Sequence, residues 1–180
     1  ESDSMMRAIM PMAGNTTTQA LIAKRQLGFL ATFDKKFEGF RREMERLRRA
    51  SVTGKSFGGR WPTEGLERIA KSLVGAGAVY SLGEITEWAR GFLGRIDAVR
   101  TSSEPPTDAD LDWLASQIGV LSALYETTIA TACALAGPAY VAGLLQGKLG
   151  NLQVHGIPRI NRVALGRHMR HSRHRTGPSG

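Results

Sequence analysis

From Leu30 onward the apolar residues fall at Phe33, Phe37, Phe40, Met44 and Leu47. Steps of three and four residues gather these side chains on one side of a helix. The opposite side carries Lys35, Lys36, Arg41, Arg42 and Arg49. The same spacing returns at Leu66, Ile69, Leu73 and Ala76, then at Leu82, Ile85, Ala89, Phe92, Ile96 and Val99, and again at Leu111, Leu114, Ile118, Leu121 and Tyr125. No segment alternates at period two for long enough to argue a strand. Helices with one apolar stripe each can bury those stripes only against one another, so the sequence predicts an all-α chain. The expected architecture is an antiparallel four-helix bundle with a short extra helix around Leu21 to Leu27.

The connections carry their own signals. Glycines and a proline in "SVTGKSFGGRWP" break the first helix, and Pro62 with Thr63 suits the start of the second. That helix is expected to end at Gly75 and Gly77. Ser81 with Glu84, and Thr107 with Asp110, have the spacing of a capping box, in which each side chain satisfies an orphan backbone N–H. The predicted organisation is a flexible leader over 1–18, a helical domain over 19–135 and an irregular basic tail over 136–180.

Charge is distributed unevenly. The chain of 180 residues has a formal charge of +8, yet its last acidic residue is Glu126. Lys148, Arg159, Arg162, Arg167, Arg170, Arg173 and Arg175 follow unopposed. This is a near-neutral domain with a basic extension rather than a uniformly basic nucleic-acid binder. Arg162, Arg167, Arg170 and Arg173 are the expected anion or nucleic-acid contacts of that tail. One cysteine, Cys133, excludes an intramolecular disulfide and argues against a cysteine-based zinc site, which fits a reducing, cytoplasmic setting. The opening "ESDSMMRAIMPMAGN" has acids where an export signal needs cations, and Pro11 interrupts it. The stretch "TTIATACALAGPAYVAGLL", residues 127–145, has no charge over nearly the length of a membrane span. Its small residues and Gly137–Pro138 argue instead for the buried end of a helix followed by a turn.

Most enzymatic chemistries fail on the residues present. "TGKS", residues 53–56, lacks the glycine of a phosphate loop five places before Gly54, where Arg49 stands. Gly75, Gly77 and Gly83 have the wrong spacing for a dinucleotide fingerprint. His168, His171 and His174 recur every third residue, but neighbouring arginines oppose a metal cation and no carboxylate is near. No histidine lies within residues 1–154 to act as base for a serine or cysteine nucleophile. No metal or cofactor is therefore expected.

The most informative stretch is "RIAKSLVGAGAVYSLGEITEWARGFL", residues 68–93. With Leu66 and Leu73 facing the core, Lys71 lies about 200° round the helix from Leu73 and points to solvent. Gly75, one turn on, presents bare backbone. Together with "LGFLATFDKKFEGFRREMERLRRA" upstream, this stretch resembles histidine-containing phosphotransfer (HPt) domains through Ala70, Leu73, Val74, Gly75, Ala76, Gly77, Leu82 and Glu84. The resemblance covers roughly residues 21 to 130. It implies a four-helix bundle that docks on response-regulator receiver domains and relays a phosphoryl group. The phosphoacceptor histidine of the family is Lys71 here. A solvated ammonium offers no lone pair to phosphorus, so the expected protein binds a receiver without accepting phosphate. Arg68, Lys71, Ser72 and Gly75 form the expected partner face, with Arg41, Arg42 and Arg49 flanking it. The competing expectation is a structural or assembly protein whose basic tail binds nucleic acid or an anionic surface.

Overall fold

The computed structural model describes the backbone of residues 2–54 and 60–146 and the side chains of 16–54 and 60–146. Six helices follow in order: α1 (Ser2–Leu30), α2 (Phe33–Thr53), α3 (Glu64–Val79), α4 (Gly83–Thr101), α5 (Asp108–Ala136) and α6 (Pro138–Gln146). Among the described residues there is no strand, as the periodicity predicts. Two compact units divide the chain, one of residues 33–125 and the other of residues 1–32 with 126–180.

In the unit of residues 33–125 the stripes meet as neighbours running in opposite directions. Along α2, Lys36, Gly39 and Glu43 face Ser72, Ile69 and Gly65 of α3. Glu67 of α3 pairs with Arg100 of α4 at 3.5 Å, while Gly77 lies against Thr86 at the other end of the same pair. Trp88 of α4 donates from Nε1 to the Gln117 carbonyl of α5 at 2.8 Å, and Arg95 lies over the Trp113 ring and reaches Asp110. Phe33 and Phe37 of α2 pack on Tyr125 of α5, and Arg48 pairs with Asp112 toward the opposite end. Phe40 sits edge-on to both Trp88 and Phe92 in the interior, where large aromatic surfaces contribute most to burial.

Local chemistry explains where the helices begin and end. The Thr107–Asp110 capping box is formed, with the Thr107 N–H donating to Asp110 Oδ2 and the Asp110 N–H to Thr107 Oγ1, both at 3.1 Å. The Ser81–Glu84 box is not the start of α4, whose N-cap is Leu82. Ser81 takes the left-handed conformation instead, at φ 56°, and the Leu82 N–H donates back to the Gly77 carbonyl at 2.9 Å. That bond is the long-range half of a Schellman stop. α3 does not end at its glycines; it continues through Gly75 and Gly77 to Val79. Its inward face also differs from the expected one. Leu66, Ala70, Leu73 and Gly77 are buried, whereas Ile69 and Ala76 are half-buried. Ile69 turns toward α2 because Gly39 there leaves room for it.

Trp61, inside the stretch expected to be a loop, is buried at 4 % exposure with Pro62 and Thr63 beside it. Thr63 is the N-cap of α3 but makes no side-chain capping bond. The Glu43 carboxylate instead lies against Gly65 in the first turn, where a negative charge favours the helix N-terminus.

The other unit departs from the expected outline at both ends. α1 is 29 residues long, running through most of the stretch expected as a leader and past the short helix expected at Leu21 to Leu27. The chain beyond residue 136 is not irregular from its start, because Pro138 opens α6. Gly137, at φ 92°, closes α5 with its N–H on the Cys133 carbonyl at 3.1 Å, and proline suits the first position of the next helix. Ala23, Leu27, Leu30, Ile129, Ala132, Cys133, Val141 and Leu144 form the interior here. The uncharged 127–145 stretch is thus a helix end, a turn and a second helix. By length and composition α5 is apolar enough to cross a membrane, and it is the one such helix among the described residues.

Candidate functional site

Helix α3 positions the face singled out by the sequence. With Leu66, Ala70 and Leu73 turned inward, the intervening positions Arg68, Lys71, Ser72 and Gly75 are all exposed. Arg68, Lys71 and Gly75 follow one another at helical spacing and share one side of the rod. A Cβ placed on Gly75 would meet nothing within 4 Å. The bare backbone there serves no close approach within the protein, although glycine in a helix interior costs about 1 kcal/mol relative to alanine. Gly77, two residues on, is the opposite case, since a Cβ there would collide with the Thr86 hydroxyl.

Ser72 is tied into the scaffold. Its hydroxyl donates to the Ile69 carbonyl at 2.6 Å and accepts from the Lys36 ammonium of α2 at 3.1 Å. Burial holds the Lys36 amine below the ordinary lysine range, because the charged form loses hydration. Spacing alone groups Lys36 with Lys35 on the solvated side of its helix, but it lies toward α3 and its amine reaches the candidate face. Its position one residue before Phe37 placed it at the edge of the apolar stripe, the only signal available. The flanking residues Arg41, Arg42 and Arg49 are exposed on α2, as a solvated helix side requires.

The chemistry this arrangement supports is recognition. Neither Arg68 nor Lys71 forms an ion pair among the described residues, so both cations are available to a partner. The Ser72 proton is engaged on a carbonyl and its hydroxyl faces a donor, so nothing here activates it as a nucleophile. Among the described residues no group of three or more His, Cys, Asp and Glu side chains is placed to hold a metal ion. The tail positions Arg162, Arg167, Arg170 and Arg173, the tail histidines and Lys55 with Ser56 lie outside the described residues.

Comparison with protein-family models, with curated proteins and with solved structures finds no match to this chain.

Proposed function

We propose that residues 33–125 are a phosphotransfer-like docking module without phosphotransfer chemistry, which binds a response-regulator receiver domain through the exposed face of α3. The observation that carries the reading is an exposed lysine one helical turn from a glycine whose missing side chain the fold itself does not require. The order of contacts supports it too. The contacts of α2 with α3, α3 with α4, α4 with α5 and α5 with α2 run in opposite directions, as a four-helix bundle would require.

On this reading Lys71 enters the acidic pocket of the receiver and supplies a positive charge where the family would present an imidazole. Gly75 lets the receiver's backbone approach α3 closely. Arg68 and the Ser72–Lys36 pair border the contact with further positive charge and a fixed hydroxyl. Phosphorus finds no nucleophile, because the ammonium holds its electron pair in an N–H bond. The module therefore occupies a receiver and leaves its phosphorylation state unchanged, acting as a competitor or sequestering factor.

The experiment is titration of receiver domains from the source genome against the full chain by calorimetry, with radiolabelled phospho-receiver in parallel. Binding should weaken on the order of tenfold or more with Lys71→Glu and with Gly75→Leu, both exposed changes that leave the core intact. No label should reach the protein. Label on the natural chain would overturn the non-catalytic reading. Absence of binding to every receiver, or binding indifferent to both substitutions, would overturn the docking reading.

A further inference from the structure

We propose that Lys36 is an acylation site, taking an acyl group from a small phosphate-bearing donor, an acyl phosphate or an acyl-coenzyme A thioester. Lys36 acts here as a nucleophile, a role that receiver docking does not require.

The placement of the amine sets it apart from its neighbour in sequence. Lys35 is exposed, whereas Lys36 is half-buried. One turn before and after Lys36 stand Phe33 and Phe40, both fully buried, and Gly39, which lies against Ile69 of α3. The lysine stem is thereby drawn into the seam between α2 and α3, and the amine emerges at the surface 3.1 Å from Ser72 Oγ. Ser72 fixes how that contact is made. Its own proton is committed to the Ile69 carbonyl at 2.6 Å, so toward Lys36 the hydroxyl accepts. An ammonium that releases its proton keeps two N–H bonds, one of which still serves Ser72, and the hydroxyl does not consume the lone pair. Because burial holds this amine below the ordinary lysine range, more of it is neutral at mildly alkaline pH than of a solvated lysine.

Neighbouring charge selects the donor. Arg68, one turn before Ser72, and Lys71, next to it, are exposed, and neither forms an ion pair among the described residues. At the positions one turn either side of Lys36 and of Ser72 on their own helices, the one charged residue is Arg68. Glu43, further along the same seam, lies against Gly65. Phosphate groups on an acyl donor would meet these cations as the acyl carbon meets the amine. The lone pair attacks that carbon, a C–N bond forms, and the C–O bond of the acyl phosphate or the C–S bond of the thioester breaks. Phosphate or thiolate leaves with the electron pair, and the proton lost from nitrogen passes to solvent. The amide formed is uncharged, so on the docking reading acylation removes a cation from the edge of the α3 face and weakens receiver binding.

The test is incubation of the full chain with acetyl phosphate and, separately, with acetyl-coenzyme A at mildly alkaline pH, followed by peptide mass spectrometry that resolves Lys35 from Lys36. Lys36 should be acetylated at least about threefold faster than Lys35, and the donor giving the larger excess identifies the source. The excess should vanish in denaturant and fall in Ser72→Ala, whose circular dichroism should match the natural chain because Ser72 is exposed. Arg68→Ala should slow acetylation of Lys36 by these two donors and not by an uncharged thioester. Equal rates at Lys35 and Lys36 with both donors, an excess that persists in denaturant, or indifference to Ser72→Ala would each overturn the site, and indifference to Arg68→Ala would overturn the phosphate-bearing donor. No receiver takes part in these measurements, so failure here and failure of the α3 docking reading are told apart.

Discussion

Gly77→Ala and Gly75→Ala, two residues apart in one helix, should change stability in opposite directions. Both changes gain about 1 kcal/mol of helix propensity. At Gly75 nothing opposes that gain, because the added methyl meets open space. At Gly77 the methyl would overlap Thr86 Oγ1 and stand 3.3 Å from the Leu82 carbonyl oxygen. Thr86 is buried, and its hydroxyl donates to that same carbonyl at 3.0 Å. The rotamer that clears the methyl withdraws the hydroxyl from its acceptor and strands a buried donor, at a cost of about 1–3 kcal/mol. Any remaining overlap adds about 1–3 kcal/mol of overpacking. The net expectation is a loss of about 1–5 kcal/mol for Gly77→Ala and a gain of up to about 1 kcal/mol for Gly75→Ala. Urea unfolding followed by tryptophan fluorescence measures both, and Trp61, Trp88 and Trp113 all report on the unit of residues 33–125. Adding Thr86→Ala to Gly77→Ala removes the obstructing atom and should restore most of the loss. Equal midpoints for the two alanine variants, or no rescue by Thr86→Ala, would refute the close packing of α3 on α4.

Phe92→Ala should cost about 3–5 kcal/mol, because Phe92 is 1 % exposed and stacks on Trp88 with Phe40 edge-on; a loss under about 1 kcal/mol in the same assay would contradict that packing. Thr107→Ala should lower stability by about 1 kcal/mol through loss of the hydroxyl half of the α5 cap, with Thr107→Ser recovering most of it. Burial pushes the Cys133 thiol up to about 11, so little of it is thiolate at mildly alkaline pH. Its reaction with a disulfide reagent should be slow in native buffer, accelerate as pH rises toward that value, and become immediate in denaturant. Stoichiometric reaction on mixing with the native chain would place Cys133 outside the core.

Much of the local structure was legible because it depends on neighbours in sequence. The three-and-four spacing of Phe33 to Leu47 marks a helix wherever it packs. The reciprocal bonds of Thr107 and Asp110 close within one turn, and Gly137–Pro138 stops and restarts a helix by backbone conformation alone. The exposure of Lys71 follows from its angle to Leu66 and Leu73. Structure departs from the local signal at the end of α3. Ser81 has capping-box spacing, yet it serves as the left-handed stop of α3. Gly75 and Gly77 are helix breakers by residue type, and both lie within the helix.

The sequence by itself determined the helical class, the face carrying Lys71 and the gathering of basic residues after Glu126, because each depends only on spacing along the chain. Tertiary structure alone decided that α3 buries Ala70 and Gly77, that Trp61 joins the interior and that Lys36 reaches Ser72. It also made Gly77 a packing requirement and left Gly75 open. These outcomes depend on atoms of other helices, Thr86 against one glycine and empty space beside the other, which no periodicity in a single segment encodes.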